Sequence, residues 1–298
     1  WWTSHTLAVV TGANKGIGFE IVRQLAENGL KVVLTARDAD RGLTATETLH
    51  NQGLNNVVFR QLDIQSSNSV YNFASWLEDN YGGLDILVNN AAIFGCTIDK
   101  EDAIHAAQVS EMQHDLINDP NFAKAFKTNY EMSKNCIEIN YYGTKRITEA
   151  LLPLFRSDGR VVNVSSESGL LRLLKNESLR EQLSDDSEIT EELIDHMIEM
   201  FLDDMKTGEL EGKGWPCFTP QYAVSKIALN VYARLVAQEQ ESRVYVNNVH
   251  PGAVQTDMSD YMGNLTPSQG AESCVMVALL PPGGPSGQFY LMKEHHSF

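Results

Sequence analysis

The sequence predicts an α/β fold with a mostly parallel, doubly wound sheet, which has helices on both faces. Short runs rich in Val, Ile and Leu recur along the 298 residues, and apolar residues return at helical spacing between them. Strands that alternate with helices in this way are typical of parallel sheets built from βαβ units. Neither an internal repeat nor a linker interrupts the pattern. We therefore interpret residues 1–298 as a single domain.

Six apolar runs are predicted to be the strands of this sheet. In chain order they are residues 7–10, 31–35, 57–62, 84–88, 160–164 and 244–249. The first three intervals between them contain apolar residues at helical spacing, at residues 21–26, 41–49 and 70–77. Gly29 stands where the first of these helices is expected to end, because glycine adopts the left-handed conformation that closes a helix.

Two stretches are longer than this alternation requires, at about residues 95–134 and 169–215, and we predict helical insertions there. In the second, the apolar residues between 193 and 205 form the stripe of one amphipathic helix. Thr190 can cap its start and Gly208 can end it. Such a stripe is usually core packing, and a lid over a substrate is the second interpretation.

The charge of the chain excludes nucleic acid as a partner. Lys and Arg number 23 against 39 Asp and Glu, which gives −16 and repels polyanions over most of the surface. No run reaches the roughly 20 apolar residues of a membrane span. The four cysteines form no CxxC pair and the eight histidines no HExxH motif, so neither a disulfide scaffold nor a zinc site is expected. Free thiols favour a reducing compartment, and we expect the cytoplasm.

A glycine-rich motif joins the first predicted strand to the first predicted helix. It runs from Thr11 to Gly18 with the spacing G-x3-G-x-G. Phosphate binding needs a turn without Cβ atoms and free backbone N–H groups at a helix N-terminus. Turns also use glycine for steric reasons alone, but the position after a strand favours a dinucleotide site. The candidate phosphate-binding residues are Gly12, Asn14, Lys15, Gly16, Ile17 and Gly18.

The end of the second predicted strand indicates which dinucleotide binds. An acidic residue there accepts a hydrogen bond from the 2′-hydroxyl of NAD, whereas an arginine accommodates the 2′-phosphate of NADP. Arg37 occupies this place and can pair with phosphate bidentately, and Lys15 offers a second cation. Asp38 follows directly and weakens the case, and a solvated surface arginine is the alternative. We expect NADPH/NADP+ as the cofactor.

Tyr222 and Lys226 are the candidate catalytic pair. Residues four apart share one face of a helix, and a lysine cation one turn away lowers the pKa of a tyrosine, which is otherwise about 10. That shift makes the phenol useful for acid–base catalysis near neutrality. Y-x-x-x-K also occurs by chance, as a packed tyrosine beside a surface lysine. Ser165 and Ser166 end the fifth predicted strand, and either hydroxyl can donate to a substrate oxygen.

Taken together, these motifs resemble the short-chain dehydrogenase/reductase family. The matching pieces, in family order, are Thr11 to Gly18, Asp63, Asn89 to Ala91, Asn140, Ser165 with Ser166, Tyr222 with Lys226, and Pro251 to Thr256. The insertion between the serines and the tyrosine is the mark of the carbonyl-reductase-like branch, and the sequence is similar to the plant members of that branch. One departure is Ala92, where the family usually has glycine.

The resemblance implies a Rossmann-type fold and a role for each matching residue. Tyr222 is implied to donate a proton to a carbonyl oxygen and to contact the cofactor, while Lys226 lowers the tyrosine pKa and binds the nicotinamide ribose. Ser166, the second serine of its pair, is implied to hold the carbonyl oxygen, and Asn140 a water of the proton relay. The other residues implied to contact the cofactor are Asp63 and Ile64 at the adenine, Asn89 and Ala91 at its ribose, and Pro251, Gly252, Val254 and Thr256 at the nicotinamide. A monomer is implied too, because the extra segment tends to block the usual tetramer interface.

The predicted function is NADPH-dependent reduction of a ketone or aldehyde on a small, mostly apolar substrate, with terpenoids and alkaloids among the candidates. Phe94, Trp215 and Phe218 favour an apolar substrate, although each alone is typical of packing. Three alternatives stay open. One is reduction of an enone C=C bond, against which Tyr222 argues. The others are an alcohol dehydrogenase working in the oxidative direction and a catalytically silent NADP-binding regulator, which typically lacks the serine, tyrosine or lysine.

Overall fold

A computed structural model describes residues 1–99, 101–102, 120–240 and 243–298, without the side chains of residues 120 and 121. The predicted insertion at 95–134 therefore lies partly outside the described residues. The chain divides into two compact units. The first consists of Trp1–Ala92, Tyr142–Glu167 and Ala233–Phe298, and the second of Ile93–Tyr141 and Ser168–Tyr232. Within the described ranges, no helix is long and apolar enough to cross a membrane.

The first unit contains an eight-stranded sheet that confirms the predicted fold class. Its strands are β1 (Leu7–Val10), β2 (Lys31–Ala36), β3 (Val57–Gln61), β4 (Leu84–Asn89), β7 (Phe155–Val164), β8 (Val244–His250), β9 (Phe289–Leu291) and β10 (Glu294–His296). They lie in the order β3-β2-β1-β4-β7-β8-β9-β10, and all neighbours pair in parallel except β9 and β10. All six predicted strands are present. The last two have three residues each, too few to show a pattern in the sequence.

Helices of the first unit bury apolar stripes against this sheet. They are α1 (Gly16–Glu27), α2 (Ala39–Asn51), α3 (Ser67–Tyr81), α6 (Thr144–Leu151) and α10 (Pro267–Ala278). The stripe of α1, from Ile21 to Ala26, packs in one cluster with β1, β2 and β4 and with Ala271 and Cys274 of α10. Gly29 has a φ of +86° directly after α1, as its predicted role at the helix end requires.

The second unit is mostly helical and contains both predicted insertions. Its elements are β5 (Thr97–Ile98), α4 (Pro120–Lys124), β6 (Phe126–Lys127), α5 (Tyr130–Ile137), α7 (Glu177–Ser184), α8 (Glu191–Thr207) and the first part of α9 (Pro220–Gln240), and β5 pairs with β6 in antiparallel fashion. A six-residue π-helix, Glu138–Gly143, follows α5. The predicted amphipathic helix is confirmed as α8, because the Thr190 hydroxyl accepts from Leu193 N at its start and Gly208 adopts a φ of +76° at its end.

Candidate active site

Six of the predicted site segments meet at one edge of the sheet in the first unit. The glycine motif follows β1, Arg37 follows β2, and Asp63 with Ile64 follows β3; the remaining three are Asn89 to Ala91 at the end of β4, Ser165 and Ser166 after β7, and Pro251 to Thr256 after β8. These strands are parallel, so their carboxyl ends lie on the same side. Nucleotides bind at this edge of open α/β sheets.

The turn between β1 and α1 is fastened to the end of β4. The Thr11 hydroxyl accepts hydrogen bonds from the backbone N–H groups of Asn90 and Ala91, each at 3.0 Å. In return, the Asn90 side chain donates to the carbonyl oxygens of Thr11, at 2.9 Å, and Gly12, at 3.1 Å. Asn90 lies within the predicted segment Asn89 to Ala91, but its hydrogen bonds to the glycine turn were not predicted from the sequence.

Two glycines of the motif are required by close approaches. Gly12 has a φ of +61°, and a Cβ there would lie 2.9 Å from the Cα of Ala91. A Cβ on Gly18 would collide with the amide nitrogen of Asn90. A side chain at position 12 would therefore be strained and would meet the Ala91 backbone, and one at position 18 would displace the Asn90 side chain from its hydrogen bonds to the turn.

The start of α1 fits a phosphate group. Its N-cap residue, Lys15, makes no side-chain capping hydrogen bond, whereas Asp38 caps α2 and Ser66 caps α3. The first N–H groups of α1 thus lie at the positive end of the helix dipole without a capping side chain, which is how helix N-termini bind anions. Thr256 borders the same turn, with its methyl carbon 3.5 Å from where a Cβ on Gly16 would lie.

The rest of the motif is divided between core and solvent. Asn14 is half-buried, and the Ile17 side chain packs against the core cluster under the sheet. Lys15 does not extend freely as a second cation, because its ammonium pairs with the Asp257 carboxylate at 2.5 Å. The hydrogen bond from Lys15 lowers the pKa of the Asp257 carboxyl below its ordinary value.

The two charged residues that follow β2, Arg37 and Asp38, make different contacts. Arg37 is exposed, and its carbonyl oxygen accepts a hydrogen bond from the Gln61 side chain at 2.9 Å. The Asp38 carboxylate turns to α2 instead, where it caps the helix by accepting from Arg41 N at 3.0 Å. Asp38 therefore has a structural task of its own, which removes the objection that it raised against a phosphate at Arg37.

The segments after β3 and β8 are held by local hydrogen bonds. The half-buried Asp63 accepts from Gln65 N at 3.0 Å, and the carbonyl of the buried Ile64 accepts from Arg146 at 2.6 Å. After Pro251, Gly252 has a φ of +88° and Val254 pairs with Leu265. Thr256 and Ser259 cap the short 3₁₀ helix Asp257–Ser259 reciprocally. These bonds fix the backbone at both places.

The Asn89 side chain lies inside the sheet. It donates to Asn163 at 2.9 Å, and Asn163 donates to Asn248 at 3.1 Å. These three residues face one another in register across β4, β7 and β8. A second bond, to the Thr148 hydroxyl at 3.0 Å, completes the environment of the Asn89 amide nitrogen. The Asn89 amide nitrogen is therefore used inside the sheet, whereas its Oδ1 is buried without a hydrogen-bond partner among the described residues, and its contact with a cofactor stays a prediction.

In the second unit, the first turns of α9 bring Tyr222 and Lys226 together. The ammonium nitrogen of Lys226 lies 5.5 Å from the centre of the half-buried Tyr222 ring. Lys226 is only 2% exposed, and burial lowers its pKa to about 8. In a chance Y-x-x-x-K match the lysine would lie on the surface, whereas Lys226 is buried. Perturbed pKa values cluster at functional sites, so the lowered pKa of Lys226 favours a catalytic role.

Asn140 lies on the π-helix, and its side chain is fully occupied. The side-chain oxygen Oδ1 accepts from Ile93 N at 2.8 Å, and the side-chain nitrogen Nδ2 donates to Ile93 O at 2.9 Å and to the Ser225 hydroxyl at 3.0 Å. Ser225 in turn donates to Tyr222 O at 2.7 Å. Asn140 thus connects the start of α9 to Ile93, and a water of the kind predicted from the sequence would have to use the Asn140 backbone.

The three predicted aromatic residues have different surroundings within the second unit. Phe94 contacts the Tyr222 ring, with ring centres 4.9 Å apart, and Phe218 packs on Phe94 at 6.3 Å. Trp215 packs instead on Phe201 of α8 at 5.4 Å and donates its indole N–H to Asp204 at 2.8 Å. At 2% exposure, Trp215 belongs to the core of the insertion.

Comparisons with known proteins show which family and fold the chain is similar to. Residues 6–177 match the family model described as short chain dehydrogenase. The chain is 43% identical to salutaridine reductase from Papaver bracteatum, with 99% of this chain and 97% of that protein covered. It is 44% identical to (+)-neomenthol dehydrogenase from Arabidopsis thaliana, with 98% and 97% covered. The solved structure of salutaridine reductase from Papaver somniferum covers 96% of this chain and 99% of its own, with a TM-score of 0.88 and 41% identity.

Proposed function

The chain belongs to the short chain dehydrogenase family and is an oxidoreductase, and on that basis we propose that it reduces a ketone or aldehyde to the alcohol with NADPH. The observation that carries the proposal is the pair formed by Tyr222 and Lys226. A tyrosine beside a buried lysine with a pKa of about 8 has the partner that proton donation near neutrality requires.

The chain's own residues supply orientation and the proton. NADPH, when bound, provides the hydride for the carbonyl carbon. Tyr222 donates a proton to the carbonyl oxygen, and Ser166 donates a hydrogen bond to the same oxygen. Lys226 stabilises the phenolate that the proton leaves behind and binds the nicotinamide ribose. Asn140 positions Tyr222 through Ser225 and holds a relay water through its backbone.

The residues at the sheet edge that are expected to bind the adenosine part of the cofactor support NADPH. The glycine turn and the uncapped start of α1 suit the diphosphate, and Asp63 with Ile64 borders the adenine. Arg37 is exposed where the 2′-phosphate is expected, and Asp38 is committed to α2. Lys15 can add a second cation only by leaving Asp257.

Changing Arg37 to serine is expected to weaken NADPH binding about 10- to 100-fold and to leave NADH binding nearly unchanged. The magnitude follows from the roughly 1.5–3 kcal/mol of a hydrogen bond to a charged group. Titration of both cofactors by fluorescence measures it. Arg41→Ala is the matched control, because this arginine is exposed and pairs with Asp38 at 3.7 Å. Equal weakening of NADPH and NADH would contradict the role of Arg37.

Carbonyl reduction is expected to decline as the pH rises through about 8. Lys226 holds its proton below its pKa of about 8 and loses it above, so the cation that supports Tyr222 disappears. Because the native pKa lies below the ordinary 10.5, the contribution of Lys226 to stability increases between these values, so the titration of Lys226 does not itself unfold the protein. The measurement is kcat/KM from about pH 6 to about pH 10, because this ratio reports the pKa values of the free enzyme, with circular dichroism alongside. A constant kcat/KM across pH 8 would refute the expectation.

The direct test is loss of NADPH absorbance with cyclic terpenoid ketones, alkaloid ketones, aldehydes and enones. Ketone turnover with an alcohol product supports the proposal. A saturated ketone formed from an enone would identify C=C reduction instead, and turnover only of alcohols with NADP+ would identify an oxidative dehydrogenase. NADPH binding without any turnover would favour the remaining alternative, a catalytically silent NADP-binding regulator.

Further proposals concern the substrate, the domain organisation, the oligomeric state and the cellular compartment. A small, mostly apolar carbonyl compound is supported by Phe94 and Phe218 near Tyr222, and the related proteins are named for salutaridine and neomenthol. We propose a single domain with two insertions that works as a monomer. The four cysteines are all free thiols, which supports a reducing compartment such as the cytoplasm.

A further inference from the structure

The residue directly before Tyr222 is a buried glutamine tied to a distant part of the sequence. Gln221 is fully buried, at 0% exposure, and its amide nitrogen donates to the carbonyl oxygen of Phe94 at 3.0 Å. This hydrogen bond joins the first turn of α9 to the segment that follows Ala92. It therefore connects the backbone beside Tyr222 to the residue whose ring contacts Tyr222.

The contact between Phe94 and Tyr222 has the geometry of an edge-to-face pair. The ring centres are 4.9 Å apart and the ring planes meet at 79°, an arrangement favoured by the ring quadrupoles. Phe94 is itself surrounded by rings, with Phe126 at 5.8 Å and Phe218 at 6.3 Å. A ring held in this way limits the orientations open to the Tyr222 phenol.

The segment that carries Phe94 is held on its other side as well. Asn140 pairs with both the N–H and the carbonyl of Ile93. Gly95 has a φ of +70°, and a Cβ there would lie 2.5 Å from the Cβ of Cys136. Residues 93–95 are thus fixed by Asn140 and Cys136 on one side and by Gln221 on the other.

Folding stability alone does not account for a glutamine at this position. The second polar atom of its side chain, Oε1, is buried and has no hydrogen-bond partner among the described residues. A half-satisfied buried amide is unfavourable compared with an apolar side chain of the same size. The benefit of Gln221 must then come from the bond to Phe94.

We propose that Gln221 is a positioning residue for the proposed proton donor: by fixing Phe94, it holds the Tyr222 ring in the orientation needed for proton transfer. The proposal rests on the proposed function, because the orientation matters only if Tyr222 is the donor. The glycine motif and the sheet edge that suit the cofactor are not involved.

The test is Gln221→Met, which keeps the volume and removes the amide. Thermal stability should fall only modestly, because the Phe94 carbonyl loses its donor while the unpaired Oε1 is removed. The Kd for NADPH should stay close to wild type. We expect kcat to fall about tenfold, since misplacing a catalytic group by about 1 Å can cost about 100-fold and the displacement expected here is smaller, while KM for the ketone changes by less than about twofold. The pH profile of kcat should also shift relative to wild type.

A double-mutant cycle with Phe94→Leu tests the route of the effect. If Gln221 acts through Phe94, the double variant should be no slower than the slower single variant. Gln24→Met is the matched control, because Gln24 also donates its amide to a backbone carbonyl, that of Ser268 at 2.8 Å, and its kcat should equal that of wild type. Additive losses, or a kcat for Gln221→Met within about twofold of wild type, would overturn the proposal.

Hydrogen exchange separates this proposal from the proposed function, because it needs no turnover. In Gln221→Met, residues 93–95 and the peptide that spans residues 219–226 should exchange faster than in wild type, with the rest of the chain unchanged. A wild type that reduces no carbonyl would contradict the proposed function but not this result. Unchanged exchange in that peptide would overturn the positioning role of Gln221.

Discussion

Tyr222→Phe is expected to reduce the rate of carbonyl reduction by about 10²–10⁴-fold, the usual contribution of a general acid. The substitution removes only the hydroxyl, and the ring keeps its contact with Phe94 at 4.9 Å. The fold of α9 should therefore remain as in wild type, and the Kd for NADPH should rise by no more than about tenfold, the effect of one lost hydrogen bond. The loss would appear in kcat rather than in KM, because the proton is needed only as the carbonyl is reduced.

Single-turnover kinetics with NADPH and a ketone substrate give the size of this loss directly. Tyr232→Phe is the control, since Tyr232 lies on the same helix, is buried, and has its ring centre 6.0 Å from that of Tyr141. Its kcat should stay near wild type. If Tyr222→Phe kept a kcat within about tenfold of wild type, Tyr222 would not be the proton donor, and C=C reduction would become the better proposal.

Much of the fold could be predicted because the signals are local. Each predicted strand is a run of apolar residues, and the start and end of α8 follow from Thr190 and Gly208, which lie next to the residues they cap. The glycine turn is local as well, since its geometry is set by positions 12 to 18. The i,i+4 spacing of Tyr222 and Lys226 needs only the knowledge that they lie on a helix.

The environment of these residues could not be predicted, because it depends on strand register and on partners far along the chain. Asn89 faces Asn163 and Asn248 across three strands, so its side chain is used inside the sheet. Lys15 forms an ion pair with Asp257 because the segment after β8 lies beside the glycine turn. A sequence motif identifies which residues belong to a site, but not what else they contact.

The burial of Lys226 is the most consequential feature of this kind. The 3₁₀ turn Glu167–Gly169 passes so close to α9 that a Cβ on Gly169 would lie 2.7 Å from the carbonyl carbon of Lys226. This close packing shares in excluding water from the lysine. The pKa of about 8 therefore arises from contacts between residues more than 50 positions apart, which no spacing rule contains.

Lys226→Met is expected to lower kcat by about 10²–10³-fold and at the same time to stabilise the protein. The activity falls because the phenolate left on Tyr222 loses its cation. The stability rises because burial disfavours the charged amine, and methionine fills a similar volume without a charge. A pKa lowered from 10.5 to about 8 means that, below pH 8, the buried cation lowers the free energy of unfolding, and removing it should raise that free energy by about 1–3 kcal/mol.

The opposite signs of these two effects make the experiment decisive. A lysine that only packs would give little change in kcat when replaced by methionine, and a lysine that holds the fold together would lose stability and activity in parallel. Lys213→Met, at an exposed position of the second unit, controls for removal of a positive charge and should change neither quantity. Thermal unfolding and single-turnover rates on the same samples give both signs. Only a variant with a lower kcat and a higher free energy of unfolding agrees with a buried lysine that destabilises the fold and is needed for catalysis.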